Sequence, residues 1–149
     1  MLIDTHAHLD YPDFQQDFDA VLQRATDAGV TRIITIGTSV ESSRRAVALA
    51  EKYPMVYAAI GVHPTSVLEA EDDVVTPLRE LAKSTRVVAI GETGLDYHHM
   101  PGEELGKEYT AKLLRVLQTE LPSQIEGAIR DGAYKSAQAA LFQQQLDLA

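Results

Sequence analysis

Residues 86–92 read RVVAIGE, and the same cadence stands twice earlier, as RIITIGT at 32–38 and VYAAIGV at 56–62. Each segment is a near-continuous apolar run closed by Ile-Gly. A strand exposed on one face alternates apolar and polar residues, whereas a strand covered on both faces does not. The three runs therefore predict buried strands of a parallel sheet. Glycine at a strand end removes a side chain where another group must come close. Ile36-Gly37, Ile60-Gly61 and Ile90-Gly91 place that approach at the carboxyl ends of neighbouring strands. A fourth β-rich run, Leu2 to Thr5, opens the chain.

Helical spacing fills the gaps between these runs. Phe14, Phe18, Val21, Leu22 and Ala25 share one helical face, with Gly29 placed as a C-terminal cap. Val40, Val47 and Ala50 line a second helix that Pro54 stops. Thr76-Pro77 reads as an N-cap with proline in the first helical position, and Leu78, Leu81 and Ala82 give that third helix an inner face. Strand and helix thus alternate in a βαβ rhythm. After Glu92 comes a polar loop, then a helical pattern at 105–117 that should stop before Pro122. Ile125 and Ile129 mark a short piece closed near Gly132, and Ser136 to Ala149 a last helix with Phe142, Leu146 and Ala149 inward. Residues 103–135 read as an inserted helical hairpin.

The 149 residues are enough for one ordinary domain, and 45% of them are hydrophobic, which fits a folded chain. No stretch is apolar for the ~20 residues that a membrane helix needs, and no secretory signal stands at the N-terminus. The absence of cysteine excludes disulfides and thiolate zinc sites, and fits a cytoplasmic location. The net charge of −9 argues against a protein that holds DNA by a basic surface. Bound divalent cations are the other means of attracting phosphate.

The candidate chemistry collects at the predicted strand ends. Side chains alternate along a strand, so His6 and His8 of "LIDTHAHLDY" (2–11) point the same way, with Asp4 below them. Two imidazoles from one strand can grip one ion; they can also be two structural histidines. Glu92 follows the third Ile-Gly, where a carboxylate needs a cation or a donor, and its two oxygens can bridge two ions. His63 in "GVHP" stands at the same rim, either facing the site or held as a turn residue by Pro64. Asp96 in "GLDY" either caps the following loop or orients a metal-binding histidine. His98 and His99 read as loop surface, and Arg44 and Arg45 as a solvated helix face.

Together "DTHAHLD", "GVHP" and "GETGLDY", in this order and spacing, resemble the TatD family of metal-dependent deoxyribonucleases, of the amidohydrolase-like superfamily. The resemblance runs through residues 1 to about 100, and "QAALFQQQLDLA" resembles the helix that follows in the family. It implies a TIM-type (β/α)8 barrel with one or two divalent metals (Mg, Mn or Zn), His6 and His8 binding one and Glu92 bridging two. It implies that His63, beside the substrate phosphate, and Glu92 serve catalysis. The implied reaction is 3′-5′ exonuclease-like cleavage of phosphodiester bonds in DNA by attack of a metal-bound hydroxide.

A barrel of this type typically has about 250 residues. The expected architecture is therefore α/β, the N-terminal half of the barrel: four βα units with a helical insertion at 103–135, in one incomplete domain, 1–149. The family's remaining ligands come from strands five, six and eight, so the chain reads as a fragment or an interrupted frame, with little or no activity alone. Two other readings are a non-catalytic half-barrel subunit, pairing with itself or with a complementary C-terminal half through exposed sheet edges, and an amidohydrolase acting on a small amide or ester. A carboxylated lysine at the end of strand four would favour the latter; Glu92 stands there instead, which favours the nuclease.

Overall fold

The computed structural model describes residues 1–71, 73–99 and 123–149, with side chains from residue 131 onward in the last stretch. Four parallel strands, β1 (Leu2–Ala7), β2 (Val30–Ile36), β3 (Val56–Ile60) and β4 (Val87–Ile90), form one sheet in the order β1-β2-β3-β4. Helices α1 (Phe18–Asp27), α2 (Val40–Lys52) and α3 (Val75–Leu81) alternate with them, and α4 (Ser123–Leu148) follows. This is the predicted run of βα units, the architecture of the N-terminal half of a (β/α)8 barrel. Pro12–Phe14 and Pro64–Ser66 are single 3-10 turns after β1 and β3.

The boundaries have local causes. Gly29 ends the α1 turn with φ +89, a conformation that favours glycine, and β2 begins at the next residue. Ser39 caps α2 by accepting a hydrogen bond from Ser42 N–H at 3.1 Å. The core lies between sheet and helices. Val56, Ala58, Ile60, Ala46, Ala50 and Leu78 are completely buried there. Each of the larger of these aliphatic side chains contributes about 1.5–3 kcal/mol through burial.

Four expectations need correction. Burial on both faces holds for β3, but β1 and β4 lie at the two edges of the described sheet, with Leu2, Ile3 and Val88 each about half exposed. Helix α1 begins at Phe18 rather than near Phe14, which belongs to the preceding 3-10 turn. Helix α3 begins at Val75 with Val74 at the N-cap; Thr76 donates its N–H to the Asp73 carboxylate at 3.0 Å and is no cap. The two short pieces around Gly132 are one continuous helix, α4, because glycine costs a helix only about 1 kcal/mol.

The inward face of α4 also differs. Tyr134, Gln138, Leu141 and Gln145 are buried, Leu148 is partly buried, while Leu146 and Ala149 are exposed and Phe142 is intermediate. These five inward positions are four, three, four and three residues apart, which is helical spacing. Two of them are glutamine, so apolar residues alone gave the wrong phase. Of the proposed insertion, residues 103–122 lie outside the described residues, and 123–135 form the first half of α4.

Candidate metal centre

The carboxyl ends of β1, β3 and β4 deliver four side chains to one place. His6 lies within β1 and His8 just past it; His63 follows β3 and Glu92 follows β4. Main-chain hydrogen bonds knit these exits together around the end of β2. Glu92 N–H donates to Gly37 O at 3.1 Å, and His63 N–H to Thr38 O at 2.9 Å.

The Ile-Gly repeat supplies the necessary room at two of its three sites. A Cβ on Gly37 would lie 2.3 Å from Ser43 Oγ and 2.7 Å from Ser43 Cα. One on Gly61 would lie 2.8 Å from both the Gly91 carbonyl carbon and Gln145 Oε1. At Gly91 itself nothing lies within 4 Å, so close approach does not explain that glycine.

Glu92 is the hub. Its Oε2 stands 3.7 Å from His6 Nε2 and 3.8 Å from His8 Nε2, and its Oε1 stands 3.6 Å from His63 Nε2. These separations exceed a hydrogen bond and compare with the ~3.4 Å between neighbouring ligands around a tetrahedral ion with ~2.1 Å bonds. Among the described residues, His6, His8 and Glu92 are the group that can hold a metal, with ligand atoms all within 4.8 Å of one another. A cleft of ≈ 340 Å³ opens beside them, lined by His8, Tyr11, Thr38, His63, Thr65, Ser66 and Glu92.

Hydrogen bonds separate the roles of the histidines. His8 Nδ1 lies 3.1 Å from the Ile36 carbonyl oxygen, which can only accept. Nδ1 therefore carries a proton, and the neutral ring turns the Nε2 lone pair toward Glu92 and His6. That is the tautomer a metal ligand needs. His63 is the reverse: its Nδ1 accepts from Thr65 N–H at 3.2 Å, so the neutral ring carries its proton on Nε2, facing Glu92 Oε1. His63 is thus arranged as a donor into the cleft and not as a metal ligand. Thr65 Oγ1, 2.6 Å from the same Nδ1, reinforces the arrangement.

The two candidate supporting carboxylates do other work. Asp4 accepts from the main-chain N–H of His6 at 3.0 Å, fixing the backbone rather than an imidazole. Asp96 takes the loop-capping role: its Oδ1 accepts from His98 N–H and His99 N–H, both at 2.9 Å, and its Oδ2 lies 2.7 Å from His99 Nδ1. The His99 and His98 donors lower its pKa to about 2. Asp96 does not orient His6, His8 or His63.

Several contributors escaped the sequence reading. Asp10, with a fully buried side chain, accepts from Ser42 Oγ at 2.8 Å and Arg45 at 3.0 Å, tying the segment after His8 to α2. Arg45 is therefore an anchor and not only a solvated face. Tyr11 stacks on His8 at 4.9 Å between ring centres. The His63 side chain itself caps the Pro64–Ser66 turn by accepting from Thr65 N–H, and histidine directly before proline was the readable signal for it.

Comparison with known proteins gives the family and agrees with the fold. The sequence profile of the family "TatD related DNase" matches residues 3–149. The chain is 41% identical over 98 residues to the metal-dependent hydrolase YabD of Bacillus subtilis, covering 66% of this chain and 38% of that protein. It is 33% identical over 124 residues to the 3′-5′ ssDNA/RNA exonuclease TatD of Erwinia tasmaniensis, covering 81% and 48%. The crystal structure of YjjV, a TatD homologue from Escherichia coli, superposes with a TM-score of 0.72 at 33% identity, over 99% of this chain and 46% of that one. The chain thus spans about half the length of these relatives, or less.

Proposed function

Given that this chain belongs to the TatD related DNase family, we propose that it provides metal ligands and a phosphate-facing histidine to a hydrolase that cleaves phosphodiester bonds in DNA. The convergence of His6 and His8 from β1 with Glu92 from β4, at the carboxyl ends of the two edge strands, carries the reading. His6, His8 and Glu92 would hold a divalent cation, Mg, Mn or Zn, and a carboxylate such as Glu92 could serve a second. Such a cation supplies Lewis-acid polarisation of a phosphoryl oxygen and lowers the pKa of water. The remaining steps belong to the chain itself. His63 donates its Nε2–H to a non-bridging phosphate oxygen in the cleft, and Thr65 preserves the tautomer that allows this. Cationic charge held at the strand ends would locally oppose the net charge of −9 that otherwise repels the substrate.

Exonuclease action from the 3′ end is proposed by extension from the relatives named for it. No helix among the described residues is long and apolar enough to cross a membrane, and the lack of cysteine supports a cytoplasmic setting. The half-exposed Leu2, Ile3 and Val88 favour a second reading, in which the open sheet edges receive a complementary half barrel or a second copy. Light scattering tests self-pairing, which a monomer at all concentrations excludes.

The test of the main reading is Mn²⁺ titration calorimetry on the 149-residue chain, followed by cleavage of a 3′-labelled single-stranded oligonucleotide. Weak saturable Mn²⁺ binding is expected, reduced at least tenfold by His8→Ala, with no appreciable cleavage by this chain alone. Binding unaffected by His8→Ala and by Glu92→Gln overturns the metal assignment.

A further inference from the structure

Gln138 and Gln145 stand seven residues apart on the inward face of α4, 0% and 1% exposed. A helix seated on a sheet needs apolar side chains for adhesion, so two carboxamides in such positions call for a reason. In both, the amide oxygen and the amide nitrogen have hydrogen-bond partners. Gln145 Oε1 accepts from Val62 N–H at 2.7 Å while its Nε2 donates to Val62 O at 3.1 Å. Gln138 Oε1 accepts from Asp96 N–H at 3.0 Å, and its Nε2 donates to Pro64 O and to Asp96 O, each at 3.0 Å.

The residues grasped are Val62 and Pro64, the immediate neighbours of His63 on either side. The side-chain amide of Gln145 pairs with Val62 as the peptide of an adjoining strand would, at a point beyond the end of β3 where the ladder has stopped. Gly61 keeps the space for it, since a Cβ there would press on Gln145 Oε1. Through Gln138 the same helix binds the His63 segment to the Asp96 loop. Buried polar groups satisfied in this way fix one arrangement of the backbone rather than add adhesion.

We propose that Gln138 and Gln145 are positioning residues that hold His63 with its Nε2–H directed into the cleft. The inference deepens the nuclease reading and rests on it for the identity of the phosphate. The geometric part stands independently. The hydrogen bonds of the two glutamines go to Val62, Pro64 and Asp96 and not to His6, His8 or Glu92, so metal affinity and His63 orientation can be read separately.

The experiment uses the 149-residue chain with ¹⁵N-labelled histidine and the variant Gln145→Met. In the wild type, ring spectra should show the Nε2–H tautomer for His63 and the Nδ1–H tautomer for His8. The variant is expected to keep cooperative unfolding, Mn²⁺ affinity within twofold and an unchanged His8 ring. Its Val62 amide should exchange at least tenfold faster, and its His63 ring should move toward a mixture of tautomers. Affinity for inorganic phosphate in the presence of Mg²⁺ should fall at least tenfold. Gln145→Glu, which retains the acceptor for Val62 N–H, should fall between the two. If Gln145→Met does not fold, Gln138→Met, which releases Pro64 and Asp96 instead, carries the same expectation for the His63 ring. An unchanged His63 ring and unchanged Val62 exchange in a folded variant overturn the proposal. A wild type that binds no phosphate, with a His63 ring that still loosens in the variant, overturns the nuclease reading and leaves the clamp standing.

Discussion

Replacing Gly61 by alanine places one methyl group where two backbones and a buried side chain already meet. The new Cβ would lie 2.8 Å from the Gly91 carbonyl carbon, 3.0 Å from its oxygen and 2.8 Å from Gln145 Oε1. Side-chain Oε1 can retreat, but only by giving up Val62 N–H. The Gly91 carbonyl cannot retreat without dragging the exit of β4, because Gly91 N–H is bonded to Ile60 O at 2.8 Å and Glu92 N–H to Gly37 O at 3.1 Å. Overpacking of this kind costs about 1–3 kcal/mol, and displacing the Gln145 pair adds about 1 kcal/mol. A total of about 2–4 kcal/mol corresponds to a fall in Tm of about 4–16 °C for a chain of this size. Urea titration of wild type, Gly61→Ala and Gly91→Ala measures it, the last having open space within 4 Å. Gly61→Ala should be the more damaging of the two and should also weaken Mn²⁺ binding by shifting Glu92. A cost below about 0.5 kcal/mol, the usual size for an innocuous substitution, would refute the claim that the strand ends are in enforced contact.

Gly132→Ala, in the interior of α4 with nothing within 4 Å of its Cβ, should stabilise the chain by about 0.5–1 kcal/mol in the same titration. Ser39→Ala removes the α2 cap and should cost about 0.5–2 kcal/mol; no loss would show that the Ser42 N–H finds another acceptor. Asp96, with its pKa lowered to about 2, contributes stability that is full above the ordinary carboxylate range and lost as pH falls through that folded value. The stability gap between wild type and Asp96→Asn should therefore be constant above about pH 5 and close progressively toward pH 2, and a gap independent of pH contradicts the assignment.

The fold was legible because its signal is repeated: three apolar runs ending in Ile-Gly, separated by helical spacing, admit few arrangements other than consecutive parallel strands. The grouping of the candidate site residues was legible for a related reason, since His6, His8, His63 and Glu92 occupy strand exits and topology brings exits together. The supporting residues were less readable. Gln138 and Gln145 face the interior through hydrogen bonds to backbone, and a search for apolar periodicity discards such positions. The α4 phase was misjudged on that account, with Leu146 half exposed where burial was expected. Asp96 showed two competing roles, and only three-dimensional distance to His99 selects the loop cap. The tautomers of His8 and His63 depend on partners 28 residues away in one case and two in the other, so no single rule of spacing finds both.

Every strand in the described sheet lies beside its predecessor in the chain. A polypeptide made from its N-terminus therefore adds each new strand to one already laid down, without leaving a gap for a later arrival. The three candidate ligands are all present once Glu92 has emerged. An ion captured at that moment would favour the folded arrangement over the unfolded one, coupling loading to synthesis. Divalent cation in the translation medium should then protect the nascent N-terminal segment from protease.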